Sequence, residues 1–103
     1  MQILKEQEQA IAQLCSNHYV VSLSAFGSVL SKRFNDKSDI DLVVHFEGVP
    51  PLEYFNNYMN MKEKLEQLLG HEIDLIEGKA VKNPIFRKIL ERDMQTIYDR
   101  TAA

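Results

Sequence analysis

The segments Ala25-Phe26-Gly27-Ser28 and, ten residues further on, Asp39-Ile40-Asp41-Leu42-Val43-Val44 decide the fold of this chain. The residues that lead up to Phe26 are rich in valine, serine and aromatic side chains, which is typical of a buried strand that runs into a tight turn. From Asp39 to Phe46 the side chains alternate between the two faces of a second predicted strand. We therefore expect these two strands to be neighbours in one small sheet.

The patterns on either side predict two more strands and several helices. Apolar residues at helical spacing predict a helix over 3–15, a short one around 29–33 and a long one over 52–69. Asn83-Pro84 predicts an N-cap with proline in the first turn of a last helix. The predicted strands cover 19–26, 39–46, 72–77 and 95–98. This order predicts an α/β or α+β fold, a small mixed sheet of about four strands with helices packed on it.

Apolar stripes on the predicted helices identify candidate core residues. The stripe of the long helix and that of the last helix are both expected to face the core, and Cys15 is expected to be a small buried hydrophobe. These two stripes comprise Leu52, Phe55, Tyr58, Met61, Leu65 and Leu68, and then Ile85, Phe86, Ile89 and Leu90.

Composition and charge exclude several classes of protein. The chain has 103 residues, with 15 acidic and 12 basic side chains and a formal net charge of −3. We expect a single domain over 1–103, and the acidic balance argues against non-specific binding to nucleic acid. No window has the ~20 apolar residues of a membrane span, and the single Cys15 cannot form an internal disulfide. We therefore expect a cytoplasmic protein with no membrane contact and no direct nucleic-acid partner.

Asp39 and Asp41 predict a metal site. Side chains at i and i+2 of a strand point to the same face, so the two carboxylates are expected to lie side by side. Adjacent carboxylates repel each other unless a cation neutralises them, and hard oxygen ligands suit Mg²⁺ or Mn²⁺. Asp74, on the next predicted strand, is the candidate third carboxylate, because two metals on one phosphate need another acidic group near the attacking hydroxyl. Glu72 or Glu77 could share that role, or could be ordinary charges at a strand end.

Gly27 and Ser28 predict a phosphate site. A strand that ends in Gly-Ser and enters a short helix offers free backbone N–H groups and a hydroxyl, and Gly27 allows a close backbone approach. Phosphate donors and metal carboxylates on neighbouring strands together indicate a nucleoside triphosphate with its metal. Neither motif is specific by itself, since acidic turn residues are common at strand starts.

Ala25-Phe26-Gly27-Ser28 and Ser38-Asp39-Ile40-Asp41-Leu42-Val43-Val44 resemble the signature of the polymerase-beta-like nucleotidyltransferase superfamily, and the short chain resembles its minimal nucleotidyltransferase branch. The resemblance implies that fold, with ATP as substrate and a divalent metal. It also implies that Gly27 and Ser28 hold the triphosphate, and that Asp39, Asp41 and Asp74 form the catalytic and metal-binding set. Many minimal members carry Arg-Gly shortly after Gly-Ser. In this chain Lys32 and Arg33 are candidate substitutes for that arginine, or solvated turn charges.

The resemblance also implies a partner. Small members of this branch are typically antitoxins encoded beside a HEPN-type toxin, and they transfer AMP from ATP to a tyrosine hydroxyl of that toxin. The main alternative is a non-catalytic module that binds nucleotide or partner and neutralises the toxin by occlusion. A nucleotidyltransferase for a small molecule ranks lower, because relatives of that kind generally carry an extra domain for the acceptor.

Three further features of the sequence have both an ordinary and a functional interpretation. His45 follows Asp39 and Asp41 on the same predicted strand face and could border the site, although it is not among the candidate catalytic residues. Tyr54 belongs to an aromatic run that is more typical of core than of a base-stacking surface. Lys79, Lys82, Arg87 and Lys88 form a basic cluster that is either a solvated helix face or a contact for phosphate or an acidic partner.

Overall fold

A computed structural model describes residues 2–101 and confirms the mixed α/β fold. Its four-stranded sheet has the strand order β3-β2-β1-β4. β1 lies antiparallel to β2 and to β4, whereas β2 and β3 are parallel. The strands are β1 Val20–Phe26, β2 Ile40–Phe46, β3 Ile73–Glu77 and β4 Gln95–Asp99. The helices are α1 Gln2–Glu6, α2 Glu8–Asn17, α3 Tyr54–Leu69 and α4 Pro84–Asp93, with 3₁₀ turns at Gly27–Leu30, Pro51–Glu53 and Gly78–Ala80.

One face of the sheet carries the core. Ile40, Leu42 and Val44 alternate along β2 and are fully buried. They belong to one apolar cluster with Met61 and Leu65 of α3, which lies on this face. Burial of side chains of this size stabilises the fold by roughly 1.5–3 kcal/mol each. The alternation of β2 therefore directs its other face, which carries Asp41, away from the core.

Several helix boundaries differ from the prediction. The predicted helix over 3–15 is two helices that meet at Gln7, whose φ of −108° and ψ of 17° lie outside the regular helix. Leu4 before this bend and Ile11 after it are both buried, so each segment contributes to the core. The predicted short helix around 29–33 is instead the 3₁₀ turn Gly27–Leu30, which begins directly at the end of β1.

Caps end α3 and begin α4, and the second of them lies at Asn83 as predicted. Gly70 follows α3 in the left-handed region with φ +70°, where glycine has no steric penalty. The Asn83 side chain accepts hydrogen bonds from the backbone N–H groups of Ile85 and Phe86, at 2.9 and 3.1 Å. Both caps satisfy backbone groups that have no partner within the helix.

The core prediction is wrong for part of the two apolar stripes. Leu52 is 98% exposed in the 3₁₀ turn before α3, and Phe55 is 72% exposed in the first turn of that helix. On α4 only Leu90 is buried, while Ile85 is 71% exposed; Phe86 and Ile89 are exposed as well. Helical periodicity identifies an apolar side of a helix but not what covers it, and in α4 most of that side faces solvent. No helix within residues 2–101 combines the length and the apolar character that crossing a bilayer requires.

Cys15 is fully buried in the core, as predicted. Burial raises the pKa of its thiol to about 12. Because the thiolate is the reactive species, we expect Cys15 of the native protein to be inert to a disulfide reagent at pH 8. In guanidinium chloride, a spectrophotometric titration should detect about one reactive thiol per chain. Without the denaturant, the thiol should react with the reagent ~100-fold more slowly or slower still. Fast reaction of the native protein would contradict the buried position.

Candidate active site

Gly27 brings the end of β1 against the side chain of Asp41. Phe26 and Asp41 are paired residues in the antiparallel β1–β2 ladder, and Gly27 follows with φ +76°. A Cβ atom added to Gly27 would lie 2.8 Å from the Asp41 Oδ2 atom. This position therefore requires glycine for two reasons, the left-handed backbone and the close carboxylate. The sequence indicated the close approach at Gly27 but not that its neighbour within the protein is Asp41.

The parallel pairing of β2 and β3 brings Asp41 and Asp74 together. The two residues are direct Cα partners in the ladder, so their side chains emerge on the same face of the sheet. Partial burial raises the pKa of Asp41, and so do the charges of Asp74 and Asp39 and a side-chain hydrogen bond with Asp74. The structure thus pairs Asp41 with Asp74, and Asp39 is near enough for its charge to act on the pKa of Asp41.

Asp39 lies just before the first residue of β2 and is exposed, as is Asp74, whereas Asp41 is half-buried. Within residues 2–101, no group of three or more His, Cys, Asp or Glu side chains is arranged so that it could hold a metal ion by itself. Mg²⁺ is typically held by one or two carboxylates together with substrate phosphates and water, and not by a complete cage of protein ligands. The paired carboxylates, with their mutual repulsion at Asp41, fit an open site of that kind.

Ser28 connects the turn after β1 to Asp39. Its hydroxyl donates a hydrogen bond to the Asp39 carbonyl at 3.3 Å. The Ser28 carbonyl in turn accepts from the backbone N–H of Ser31 at 2.9 Å, which closes the 3₁₀ turn. Gly27 and Ser28 thus lie next to the carboxylates, where a triphosphate is predicted from the motif. The Ser28 bond to Asp39 is a contact that the motif did not reveal.

The other candidates lie apart from the carboxylates. His45 is four residues beyond Asp41 and packs against Gly78, where a Cβ would collide with the imidazole. Burial lowers the pKa of His45, and the charges of Lys79 and Arg87 lower it further. At roughly 3.3 Å per residue, the backbone of His45 is about 13 Å from that of Asp41, so this histidine does not border the carboxylate pair.

The basic residues have different surroundings. Arg87 donates to the carbonyls of Gly78 and Val81, at 3.1 and 3.0 Å, and thereby holds the loop before α4. Lys32 and Arg33 are exposed in the turn after Leu30. Neither forms an ion pair with a carboxylate of the described chain.

A cavity of about 260 Å³ lies at the C-terminal end of β2, lined by His45, Tyr54, Glu77 and Lys79 among others. Tyr54 donates a hydrogen bond to Glu77 there at 2.7 Å, and burial together with Glu77 raises the pKa of the tyrosine to about 12. Two glutamates line this cavity, but both already have partners: Tyr54 donates to Glu77, and Arg100 lies 3.9 Å from Glu47. We locate the chemistry at the aspartates, because Asp41 and Asp74 are paired there beside Gly27.

The family described as nucleotidyltransferase domain matches residues 7–100. The chain belongs to this family. It is 35% identical to "Putative protein adenylyltransferase MJ1379" of Methanocaldococcus jannaschii, over 79% of this chain and 80% of that one. It is 34% identical to protein adenylyltransferase MntA of Thermococcus cleftensis, over 69% of each chain. The nucleotidyltransferase class that the motif predicted is therefore confirmed.

Solved structures agree with this assignment. A structure titled "putative minimal nucleotidyltransferase" superposes with a TM-score of 0.74 at 30% identity, over 91% of this nucleotidyltransferase and 92% of the other chain. The MNT antitoxin in complex with a tri-AMPylated HEPN toxin of Shewanella oneidensis has the same fold, with a TM-score of 0.62 at 16% identity over 93% and 72% of the two chains. The minimal nucleotidyltransferase fold is thus confirmed.

The contact between Gly27 and Asp41 can be tested with two glycine variants. Gly27→Ala and Gly48→Ala both place a side chain at positive φ, +76° and +81°, but only the first meets a neighbour, since nothing lies within 4 Å of a Cβ at Gly48. We expect each to lower the free energy of unfolding by about 1 kcal/mol. Only Gly27→Ala should weaken binding of a non-hydrolysable ATP analogue with Mg²⁺, about tenfold or more, because Asp41 must move. Urea unfolding and calorimetric titration separate the two effects, and equal affinities in both variants would contradict the contact's role.

Proposed function

We propose that this nucleotidyltransferase transfers AMP from ATP to a hydroxyl group of a partner protein, and that residues 1–103 act as one domain. The observation that carries the proposal is the pairing of Asp41 with Asp74 directly beside Gly27. Two close carboxylates next to a glycine-serine turn suit a triphosphate with its metal. Neither carboxylate belongs to the apolar core cluster. The relatives that are named protein adenylyltransferases support the same reaction.

In this proposal Asp39, Asp41 and Asp74 hold Mg²⁺, or Mn²⁺ in its place. When bound, the metal neutralises charge on the phosphates as the transfer proceeds. The raised pKa of Asp41 supports this role, because burial and the neighbouring carboxylates Asp74 and Asp39 make its ionised form costly without a cation. Gly27 and the Ser28 hydroxyl lie next to the carboxylates, where the triphosphate is expected.

The transfer exchanges one phosphorus–oxygen bond for another. The acceptor oxygen forms a bond to the α-phosphorus of ATP, and the bond from that phosphorus to the oxygen bridging to the β-phosphate breaks. The electron pair of that bond leaves with pyrophosphate. The hydroxyl proton passes to a carboxylate, for which Asp74 is our candidate, since it is exposed on the open face beside Asp41.

The acceptor in this proposal is a tyrosine of a HEPN-type toxin, and the chain acts as its antitoxin in the cytoplasm. The carboxylates lie on an open face, so an acceptor side chain carried by another protein can reach them. The solved complex of an MNT antitoxin with a tri-AMPylated HEPN toxin supports this choice of partner. Neutralisation by occlusion alone is the competing outcome that the experiment below distinguishes.

Transfer of the α-phosphate label from ATP tests the proposal. The purified protein is incubated with α-labelled ATP, Mg²⁺ and a cognate HEPN protein, or with lysate of the source cells. We expect label on one protein, and a loss of about 100-fold or more in Asp39→Asn and Asp41→Asn, which remove charge but little volume. Asp36→Asn is the matched control, because it makes the same change in the exposed turn that precedes Asp39. Its transfer should equal that of the wild type.

The mass of the neutralised HEPN protein separates catalysis from occlusion. Catalysis adds AMP to the HEPN protein, whereas occlusion leaves its mass unchanged. Full protection by Asp41→Asn with an unchanged mass would replace the proposed activity with binding alone.

A further inference from the structure

The position of Asp39 depends on contacts outside its own strand. β2 begins one residue later, at Ile40, whose backbone N–H donates to the Glu72 carbonyl at 2.9 Å. On its other side, Asp39 follows the turn segment 31–38. Its side chain is exposed, so the contacts of the neighbouring backbone help to fix where its carboxylate points.

His71 holds the residue that precedes Asp39. The imidazole Nδ1 lies 2.7 Å from the Ser38 carbonyl oxygen. A carbonyl can only accept, so Nδ1 carries the proton in this bond. The same ring contacts Phe34, with 4.7 Å between ring centroids and 37° between the ring planes. His71 thus contacts both ends of segment 34–38, at Phe34 and at Ser38.

These contacts bracket Asp39 on three sides. Ser28 binds its carbonyl, His71 binds the carbonyl before it, and Glu72 binds the amide after it. His71 and Glu72 immediately precede β3, the strand that carries Asp74. The hydrogen bond of His71 therefore connects the backbone next to Asp39 to the start of β3, the strand that carries Asp74.

We propose that His71 is a positioning residue of the active site, which holds Asp39 at the distance from Asp41 and Asp74 at which the three bind a metal–nucleotide complex. The inference rests on the proposed function for the role of Asp39, but adds a residue outside the motif. The mechanism is geometric: without the bond, segment 34–38 gains freedom, and Asp39 samples orientations in which it does not reach the shared ligand. Outer contacts of this kind are typically worth 10–100-fold in metal affinity or activity.

Four variants separate positioning from stability. His71→Leu removes the donor at similar size, and His71→Asn keeps an amide N–H near the position of Nδ1. His18→Leu is the matched control, because the Nδ1 of His18 makes the same kind of bond, at 2.7 Å to the Leu14 carbonyl, at the end of α2. Asp39→Asn provides the background in which the effect of His71 should vanish.

Binding is measured by calorimetry with the Mn²⁺ complex of an α,β-methylene ATP analogue, and stability by thermal unfolding. We expect His71→Leu to weaken binding about 10-fold or more and His71→Asn to restore most of it. His18→Leu should lower the unfolding temperature without changing affinity. In the Asp39→Asn background, His71→Leu should cause no further loss, because the two changes act on one interaction.

Equal affinity of His71→Leu and wild type would overturn the inference, and so would an undiminished effect in the Asp39→Asn background. No rescue by His71→Asn would show that the bond to Ser38 is not responsible. Failure of the proposed function looks different: the wild type would bind the Mn²⁺–nucleotide complex, with the full pattern among the variants, yet transfer no AMP to protein.

Discussion

The placement of the carboxylates on one face of the sheet depends on the register between the parallel strands β2 and β3. Asp41 and Asp74 are direct partners in the β2–β3 ladder, and β1 delivers Gly27 to the same carboxylate from the other side. A shift of one residue in either ladder would turn a carboxylate to the opposite face, since strand side chains alternate with a period of two. The pairing of Asp41 with Asp74 therefore requires one particular register. The rest of the fold must stabilise that register, because the two carboxylates repel each other.

Buried side chains on the opposite face of the same strands stabilise this register. Ile40 and Leu42 flank Asp41 in sequence and are fully buried, and Ile73 and Leu75 flank Asp74 and are buried as well. Any slip that moved the carboxylates would also pull these side chains out of the core, at roughly 1.5–3 kcal/mol each. Apolar burial on one face thus stabilises an electrostatically unfavourable arrangement on the other.

The sequence was sufficient to predict most of this arrangement because its signals are local. The Gly27-Ser28 turn and the Asn83 cap each act within a few residues and have the predicted positions. Asp41 lies on a strand as predicted, and that strand begins at Ile40, so Asp39 lies just before it. The contacts that the sequence did not reveal are between distant segments. His71 and Ser38 are 33 residues apart, and no periodicity encodes their bond. The exposure of Ile85 was missed for a related reason, since an apolar helix face does not specify its partner.

In the proposed reaction, exposed carboxylates allow the acceptor to come from another protein. Asp39 and Asp74 are exposed and much of α4 faces solvent, so a docking protein can reach them. An acceptor that arrives on the surface of a folded protein brings its own walls and excludes water as it docks. Selectivity for the acceptor then resides in the fit of two protein surfaces, and the carboxylate site itself needs only to hold the nucleotide and one incoming hydroxyl group.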